Sequence, residues 1–206
     1  MPDFKFENSF CGTVAGVDEA GRGPWVGPVV AGAVIFLTQD VDSYLLKYLN
    51  DSKKLSAKRR EELFEIIKAE AQKHHLRYGI GQASAEEIDE LNILQASFLA
   101  MSRAVENLNT RPDMALIDGN RLPKNFLCPC QCLIKGDSLS YSVSAASIVA
   151  KVYRDALMKE MALKYPGYGF EKNAGYGTKD HINGLKKYGI TPEHRKSFKP
   201  IKDMVA

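Results

Sequence analysis

Acidic residues stand at the ends of three short apolar segments of the chain: Asp18 with its neighbour Glu19, Asp118 and Asp137. Adjacent residues of a strand point to opposite faces, so Asp18 and Glu19 can reach one cation only where the strand ends or bends. Taken alone, an Asp-Glu pair is also typical of a solvated turn. If the three segments are parallel neighbours linked by helices, their C-terminal ends share the sheet edge where ligands bind. Acids at three equivalent positions therefore predict one acidic site, of the kind that holds a divalent cation.

Directly after the first acidic pair, the chain continues with Gly21, Arg22 and Gly23. Glycines allow the backbone to come close to a ligand because no Cβ is in the way. The arginine between them carries a forked cation that suits phosphate. Carboxylates beside a glycine-flanked arginine indicate a metal site that faces a polyanion.

The chain has 206 residues, of which 45% are hydrophobic and 26% are charged. This composition is ordinary for a globular protein, and the length suits one large domain or a domain with a small appendage. The net charge of +3 permits nucleic-acid binding without requiring it. No apolar run approaches the roughly 20 residues that span a bilayer, and the N-terminus has no signal-peptide pattern. We therefore expect a cytoplasmic protein without a membrane segment.

The chain has four cysteines: Cys11, Cys128, Cys130 and Cys132. The last three alternate, so on a strand they would share one face. Zinc binding would need histidines from elsewhere in the chain, and the usual ligand spacings are missing. Reduced cysteines with a structural role are the expectation.

Hydrophobic periodicity predicts alternating strands and helices. The expected strands lie at residues 13–18, 29–36, 75–83, 114–118 and 127–134, and the first two form a hairpin-like pair. Expected helices are one behind an N-cap at Ser56 that runs to about Lys73, one long helix from a capping box at Ser84 through Leu108, one at about 142–165, and a short one near 180–188. A glycine-rich loop after Pro166 separates the last two.

Six stretches of the chain, in order, resemble the type 2 ribonucleases H of bacteria. They are GVDEAGRGP at 16–24, NDSKKL at 50–55, IDGN at 117–120, KGD at 135–137, SAASIVAK at 144–151 and GYGT at 175–178. The related type 3 enzymes carry lysine at the position of Arg22, so the arginine favours type 2. The resemblance covers nearly the whole chain.

The resemblance implies an α/β ribonuclease H-like fold, with a five-stranded mixed sheet flanked by helices and a helical C-terminal segment. Residues 1–165 are then the catalytic domain. Residues 166–206 are a C-terminal loop and helical segment that packs on it. The periodicity alone does not determine this strand order.

The resemblance also implies the activity and the site. Such an enzyme hydrolyses the RNA strand of RNA/DNA hybrids and cuts 5′ of single ribonucleotides in duplex DNA, leaving 5′-phosphate and 3′-hydroxyl ends. The implied catalytic and metal-binding residues are Asp18, Glu19, Asp118 and Asp137, which hold two Mg²⁺ or Mn²⁺ ions when substrate is bound. The implied substrate-binding residues are Gly21, Arg22, Gly23, Lys53, Ser144, Lys151 and Tyr176, with Tyr176 stacked on the sugar beside the ribonucleotide.

Basic residues elsewhere are candidates for contacts with backbone phosphates, namely Lys53, Lys54, Lys151, Arg154 and the cluster at 195–199. Asp155 is expected to form an ion pair on a helix surface. Trp25 departs from the family pattern, because a smaller aliphatic residue is expected after Pro24. The protein is expected to be a monomer, and its tail shows no clear motif for binding a sliding clamp.

Two other functions remain open at this stage. One is a module that binds hybrids without cutting them, against which the presence of all four acids argues. The other is a different enzyme with the same fold, such as a resolvase or an integrase. That alternative gives no reason for the Gly-Arg-Gly and Gly-Tyr-Gly sequences.

Overall fold

The apolar segments of the sequence form the strands of one central sheet. The computed structural model describes residues 2–50 and 52–205, without the side chains of Lys53 and Val205. The strands are β1 (Val14–Ala20), β2 (Val29–Phe36), β3 (Leu76–Ala83), β4 (Met114–Asp118) and β5 (Cys130–Leu133). Their order across the sheet is β3-β2-β1-β4-β5.

The sheet is mixed. β2 pairs antiparallel with both β1 and β3, while β4 pairs parallel with β1 and β5. The hairpin-like pairing of the first two strands is therefore confirmed, as is the five-stranded mixed sheet. Because β1, β4 and β5 run in the same direction, their C-terminal ends lie along one edge of the sheet.

Helices cover both faces of the sheet. They are α1 (Ser43–Tyr48), α2 (Ala57–Gln72), α3 (Ala85–Leu91), α4 (Ile93–Glu106), α5 (Tyr141–Lys164), α6 (Phe170–Asn173), α7 (Lys179–Tyr188) and α8 (Ile201–Val205). α4 packs with the buried residues of one face, including Ala15 and Val17 of β1. The other face packs against α1, α2 and α5.

α5 lies unusually close to the sheet because glycines face it. A Cβ on Gly16 would lie 2.1 Å from the carbonyl carbon of Ser142, and one on Gly32 would lie 2.4 Å from the carbonyl oxygen of Ala146. The small residues of the helix, such as Ala145 and Ala150, complete the contact. The backbone of α5 therefore rests on the backbone of β1 and β2, and this fixes where the helix presents its side chains to the end of β1.

The single long helix expected after Ser84 is wrong, because the chain forms α3 and α4 with a break at Asn92. Asn92 has φ +71°, a left-handed conformation that asparagine tolerates better than most residues. Its Oδ1 accepts hydrogen bonds from the backbone N–H groups of Leu94 (3.0 Å) and Gln95 (3.3 Å) and so caps α4. The apolar stripe predicted helix correctly but did not reveal this cap. The predicted capping box of Ser84 and Glu87 is confirmed.

β5 is shorter than the strand predicted for residues 127–134. Pro129 directly precedes it, and proline has no N–H for a sheet ladder. Cys128 therefore lies before the strand, and only Cys130 and Cys132 lie within it. All four cysteines are free thiols. Burial raises the pKa of Cys128 to about 11, which suits an inert thiol.

The segment after α5 packs back onto the rest of the molecule. Tyr168, Phe170 and Leu185 share a buried cluster with Val26 and Met158. The domain division at residue 165 stays a prediction. Although α5 is 24 residues long, none of the described helices is apolar enough over sufficient length to cross a membrane.

Candidate active site

The four acids named from the sequence lie at the C-terminal edge of the three parallel strands. Asp18 and Glu19 lie near the C-terminal end of β1, and Asp118 is the last residue of β4. Asp137 lies in a short 3-10 helix, Gly136–Ser138, that follows β5. The N–H of Gly136 donates to Oδ1 of Asp118 at 2.7 Å, which ties the end of β4 to the helix that carries Asp137.

Asp18 is the most enclosed of the four, with 7% of its surface exposed. Burial raises the pKa of Asp18 well above its ordinary value of 3.8, and the charges of Glu19 and Asp118 raise it further. Hydrogen bonds from the Glu19 N–H, at 2.7 Å, and from Ser147 oppose this rise. Since the like charges repel, a proton or an added cation stabilises this group of carboxylates.

Glu19 has one carboxylate oxygen engaged and one open. Arg22 donates from Nη1 to Oε1 of Glu19 at 3.0 Å. Oε2 is buried and accepts no hydrogen bond within the described part of the chain. Burial raises the pKa of Glu19, and the Arg22 charge acts against that rise. A buried carboxylate oxygen without a donor is an unusual arrangement that a bound cation would satisfy.

The residues present fit Mg²⁺ or Mn²⁺. Carboxylate oxygens are the ligands these hard cations prefer, and Oε2 of Glu19 is available. Across residues 2–50 and 52–205, no three His, Cys, Asp or Glu side chains are already arranged to hold an ion. The assignment of all four acids as metal ligands therefore stays a prediction.

A cleft of about 370 Å³ opens beside Glu19 and Asp118. Arg22 and Arg121 line it, and one wall is formed by side chains of α4 such as Phe98. Carboxylates and guanidinium groups therefore meet in one concave surface. This combination suits a cation that is bound together with a phosphate group.

The structure brings Tyr176 next to the Gly-Arg-Gly segment. A Cβ on Gly23 would lie 3.3 Å from Cε1 of Tyr176, so the ring borders the backbone at Gly23. Tyr176 is 51% exposed and Gly23 is exposed, so both remain accessible to a ligand. Two motifs that are about 150 residues apart in the sequence thus meet at one exposed surface, which we call the slot.

The other substrate-binding candidates are placed differently. Ser144 is fully buried, and its hydroxyl donates to the carbonyl of Asn50 at 3.1 Å. It therefore holds the beginning of the 50–55 segment against α5. Lys151 donates to Asp155 at 2.6 Å, which confirms the ion pair expected for Asp155. The side chain of Lys53, and all of Asp51, lie outside the described residues.

Two of the expected phosphate contacts are wrong. Arg154 is 1% exposed and Arg195 is 0% exposed, so neither can touch a duplex. Both guanidinium groups point inward and donate to backbone carbonyls instead. A basic residue normally lies at the surface, and nothing in the local sequence marks these two as exceptions.

Ser147 is a site residue that sequence reasoning did not single out, although it lies within a matched motif. It is buried, hydrogen-bonds to Asp18, and its hydroxyl oxygen lies 2.6 Å from the hydroxyl oxygen of Ser52, within hydrogen-bond distance. The close contact of α5 with Gly16 and Gly32 places it there. It connects the most buried acid to the segment that carries Lys53.

Trp25 fills the space left by a glycine. A Cβ on Gly177 would lie 2.0 Å from the indole ring, and the ring centroid of Trp25 is 5.4 Å from that of His181. The large residue after Pro24 is therefore accommodated by the GYGT loop. The two loops of the slot pack directly against each other through this contact.

A five-stranded mixed sheet with acids at the ends of adjoining parallel strands defines a ribonuclease H-like hydrolase. The family model described as Ribonuclease HII matches residues 15–201, and the chain belongs to that family. It is a metal-dependent endoribonuclease that hydrolyses the RNA strand of RNA/DNA hybrids.

Relatives match along nearly the whole chain. It is 52% identical over 206 residues to the ribonuclease HII of Rhodospirillum rubrum, covering 100% of this chain and 93% of that one. The ribonuclease H2 structure from Pyrococcus horikoshii OT3 is similar with a TM-score of 0.72 and 28% identity, over 93% of this chain and 96% of that chain. An Archaeoglobus fulgidus ribonuclease HII solved as a complex with PCNA also gives 0.72 and 28%, over 91% and 95% of the two chains.

Proposed function

We propose that the enzyme also cuts 5′ of a single ribonucleotide embedded in duplex DNA, and that it uses two divalent cations. The observation that carries this proposal is the slot formed by Gly23 and Tyr176, since Gly23 follows Asp18 and Glu19 directly after the end of β1. The proposed ribose-binding slot and the proposed cation-binding site therefore both lie at the end of β1.

The slot suits recognition of a ribose 2′-hydroxyl. This hydroxyl both donates and accepts hydrogen bonds, and it is the group that distinguishes RNA from DNA. The backbone at Gly23 can approach it beside Tyr176 because Gly23 has no Cβ, whereas the missing Cβ of Gly21 makes room for the side chain of Arg154. The exposed ring of Tyr176 can stack on the following sugar. Such a slot reads one ribonucleotide and its neighbour, and it does not require a long RNA segment.

Four acidic side chains of the chain are proposed to bind the cations. Asp18, Glu19, Asp118 and Asp137 would hold the two ions. When bound, the ions supply an activated water and stabilise the leaving oxygen, which gives 5′-phosphate and 3′-hydroxyl ends. Arg22, which is half exposed and pairs with Glu19, is free on its other side to meet the phosphate. Lys151 and Lys53 are proposed to contact the flanking backbone.

The specificity is tested by Tyr176→Ala. We expect cleavage of a duplex with one ribonucleotide to fall by at least about 10-fold more than cleavage of a continuous RNA/DNA hybrid. This is the lower part of the roughly 1–3 kcal/mol that an aromatic ring contributes when it stacks on a base. The measurement is kcat/KM on both substrates with end-labelled strands, which also identifies the chemistry of the ends.

Tyr188→Ala is the matched control, since Tyr188 is similarly exposed but lies on α7 away from the slot. Equal losses on the two substrates for Tyr176→Ala would contradict ribonucleotide sensing. An all-DNA junction that is cut as well as the hybrid would instead favour a resolvase-like activity.

A further inference from the structure

Arg195 holds the segment between β1 and β2 from the inside. Its side chain donates to four carbonyl oxygens, those of Gly21 (2.6 Å), Arg22 (3.0 Å), Pro24 (2.7 Å) and Gly27 (2.9 Å). Its own N–H donates to the carbonyl of Trp25 at 2.8 Å. The Gly-Arg-Gly loop therefore takes its shape from a residue more than 160 positions later in the chain.

The chemistry of arginine suits this task better than any other side chain. Its guanidinium is planar and presents five N–H donors in a fixed fork, so the carbonyls it binds are fixed relative to one another. Burial lowers the pKa of Arg195 to about 9, and the nearby charge of Arg154 contributes. A buried cation is not an efficient way to stabilise a core. The arrangement is better explained by the geometry it imposes on the loop.

His194, the preceding residue, reaches the other side of the slot through His181. The Thr191 N–H donates to Nδ1 of His194 at 2.8 Å, so the proton of His194 is on Nε2. Nε2 of His194 lies 3.0 Å from Nε2 of His181, which must accept that proton's hydrogen bond. The proton of His181 is then on Nδ1, which donates to the carbonyl of Tyr176 at 3.0 Å.

Both histidines are neutral in this chain of hydrogen bonds. Burial lowers the pKa of each, in the case of His194 to about 4. The order of donors and acceptors is therefore fixed at neutral pH. One dipeptide, His194-Arg195, thus controls the backbone on both sides of the slot.

The two loops are also joined directly. The N–H of Trp25 donates to the carbonyl of Gly175 at 2.9 Å, and the Trp25 ring lies against Gly177. Asp89 of α3 anchors the dipeptide from behind by accepting from the N–H groups of Lys196 and Ser197, both at 2.8 Å. Hydrogen bonds and packing therefore connect both loops of the slot with each other and with the segment that contains His194 and Arg195.

We infer that His194 and Arg195 are positioning residues that set the spacing between Gly23 and Tyr176 and so the selection for ribose. Neither touches the substrate, because both are buried. Arg195 fixes the Gly-Arg-Gly backbone, and His194 acts on Tyr176 through His181. This inference rests on the proposed role of the slot in reading a single ribonucleotide.

The test compares Arg195→Lys and His194→Asn with Ile201→Val. Lysine keeps the charge but lacks the planar fork. Asparagine places its Oδ1 where Nδ1 of His194 accepts from Thr191 and lacks the atom that reaches His181. Ile201 is fully buried in the same C-terminal segment but contacts neither loop of the slot by hydrogen bonds, so Ile201→Val controls for loss of packing.

Two readouts are measured on each variant. The first is the ratio of kcat on a duplex with one ribonucleotide to kcat on a continuous hybrid. The second is acrylamide quenching of Trp25, which is the single tryptophan of the chain and lies between the two loops. We expect Arg195→Lys to lower the ratio by at least about 10-fold with KM nearly unchanged, since small misplacements of this kind affect turnover. We expect a smaller decrease for His194→Asn and increased quenching in both.

Both variants must show a lower kcat ratio and increased quenching of Trp25 relative to Ile201→Val. If either the ratio or the quenching of the folded variants matches the control, the inference is overturned. His194→Asn decides the matter alone should Arg195→Lys fail to fold. A wild-type enzyme that does not cut the single-ribonucleotide duplex would contradict the proposed function instead, while the quenching result would still report on the two residues.

Discussion

Two groups of charged side chains adjoin the segment between β1 and β2, and they are stabilised in opposite ways. Asp18, Glu19 and Asp118 are like charges placed together, and Oε2 of Glu19 has no donor among the described residues. Arg154 and Arg195 are buried cations whose fork atoms donate to backbone carbonyls. The acidic group is left for a ligand to stabilise. The arginines are satisfied by the protein itself and hold the shape of the loop.

The largest effect expected from this contrast is the loss of activity in Asp18→Asn. We expect kcat on an RNA/DNA hybrid to fall by at least about 10³-fold, because the most enclosed carboxylate of the site loses its charge. Cleavage is measured with Mg²⁺ and separately with Mn²⁺. Asp203→Asn, an exposed acid on α8, is the control. Wild-type turnover in Asp18→Asn would remove Asp18 from the site.

The next largest effect is on the free energy of unfolding, which should fall when a buried arginine is replaced and rise when Asp18 is neutralised. Arg154→Met should lower the free energy of unfolding by about 3 kcal/mol. It leaves the carbonyls of Val26, Pro28 and Ala174 without their donor. Asp18→Asn should raise it at neutral pH without cations. The folded-state pKa of Asp18 is raised, so its ionised form destabilises the fold as pH rises above 3.8.

Denaturant titration measures both changes. Lys159→Met serves as the control for Arg154→Met, because Lys159 lies on the same helix with its side chain 63% exposed. Equal small losses in the two methionine variants would show that the buried arginine is not needed for the loop. A loss of stability in Asp18→Asn would show that the acids are not under repulsion.

A smaller effect is expected in the pH dependence of folding. The pKa of His194 is lowered from 6.5 to about 4 in the fold, so the unfolded chain binds an extra proton between these values. Stability should therefore decrease as pH falls from 6.5 to about 4, by up to about 3 kcal/mol, and this contribution changes no further below that. The slope should be shallower in His194→Asn. An identical slope would show that His194 already titrates normally in the fold.

The smallest effect is a proton released when a cation binds. Since the pKa of Asp18 is raised well above 3.8, part of these sites carries a proton at any pH below the raised pKa, and a bound cation would displace it. Calorimetry in two buffers of different ionisation enthalpy measures the protons released per ion. Asp18→Asn should release fewer. Binding that is independent of the buffer would contradict a raised pKa at this site.

The acidic group was predictable because its signal is local. Each acid follows an apolar strand, and parallel strands bring such ends to one edge. The ion pair of Lys151 and Asp155 was likewise predictable, since four residues separate them on one helix face. The resemblance supplied the strand order, which periodicity could not.

The arginines were not predictable for the corresponding reason. The partners of Arg195 are carbonyls of residues 21–27, and a backbone carbonyl has no sequence signature. The general expectation that arginine is exposed then gave the wrong answer for Arg154 and Arg195. Asn92 failed similarly, because its role depends on a left-handed backbone that the apolar stripe around it does not indicate.

The contact of Gly16 and Gly32 with α5 has a consequence for motion in the protein. At these points main chain meets main chain, and no rotatable side chain lies between them. The distance between the backbone of α5 at Ser147 and the backbone of β1 at Asp18 therefore does not depend on the rotamers of side chains packed between them. On heating, amide hydrogens of β1 and the first turns of α5 should exchange with solvent only when the whole molecule unfolds.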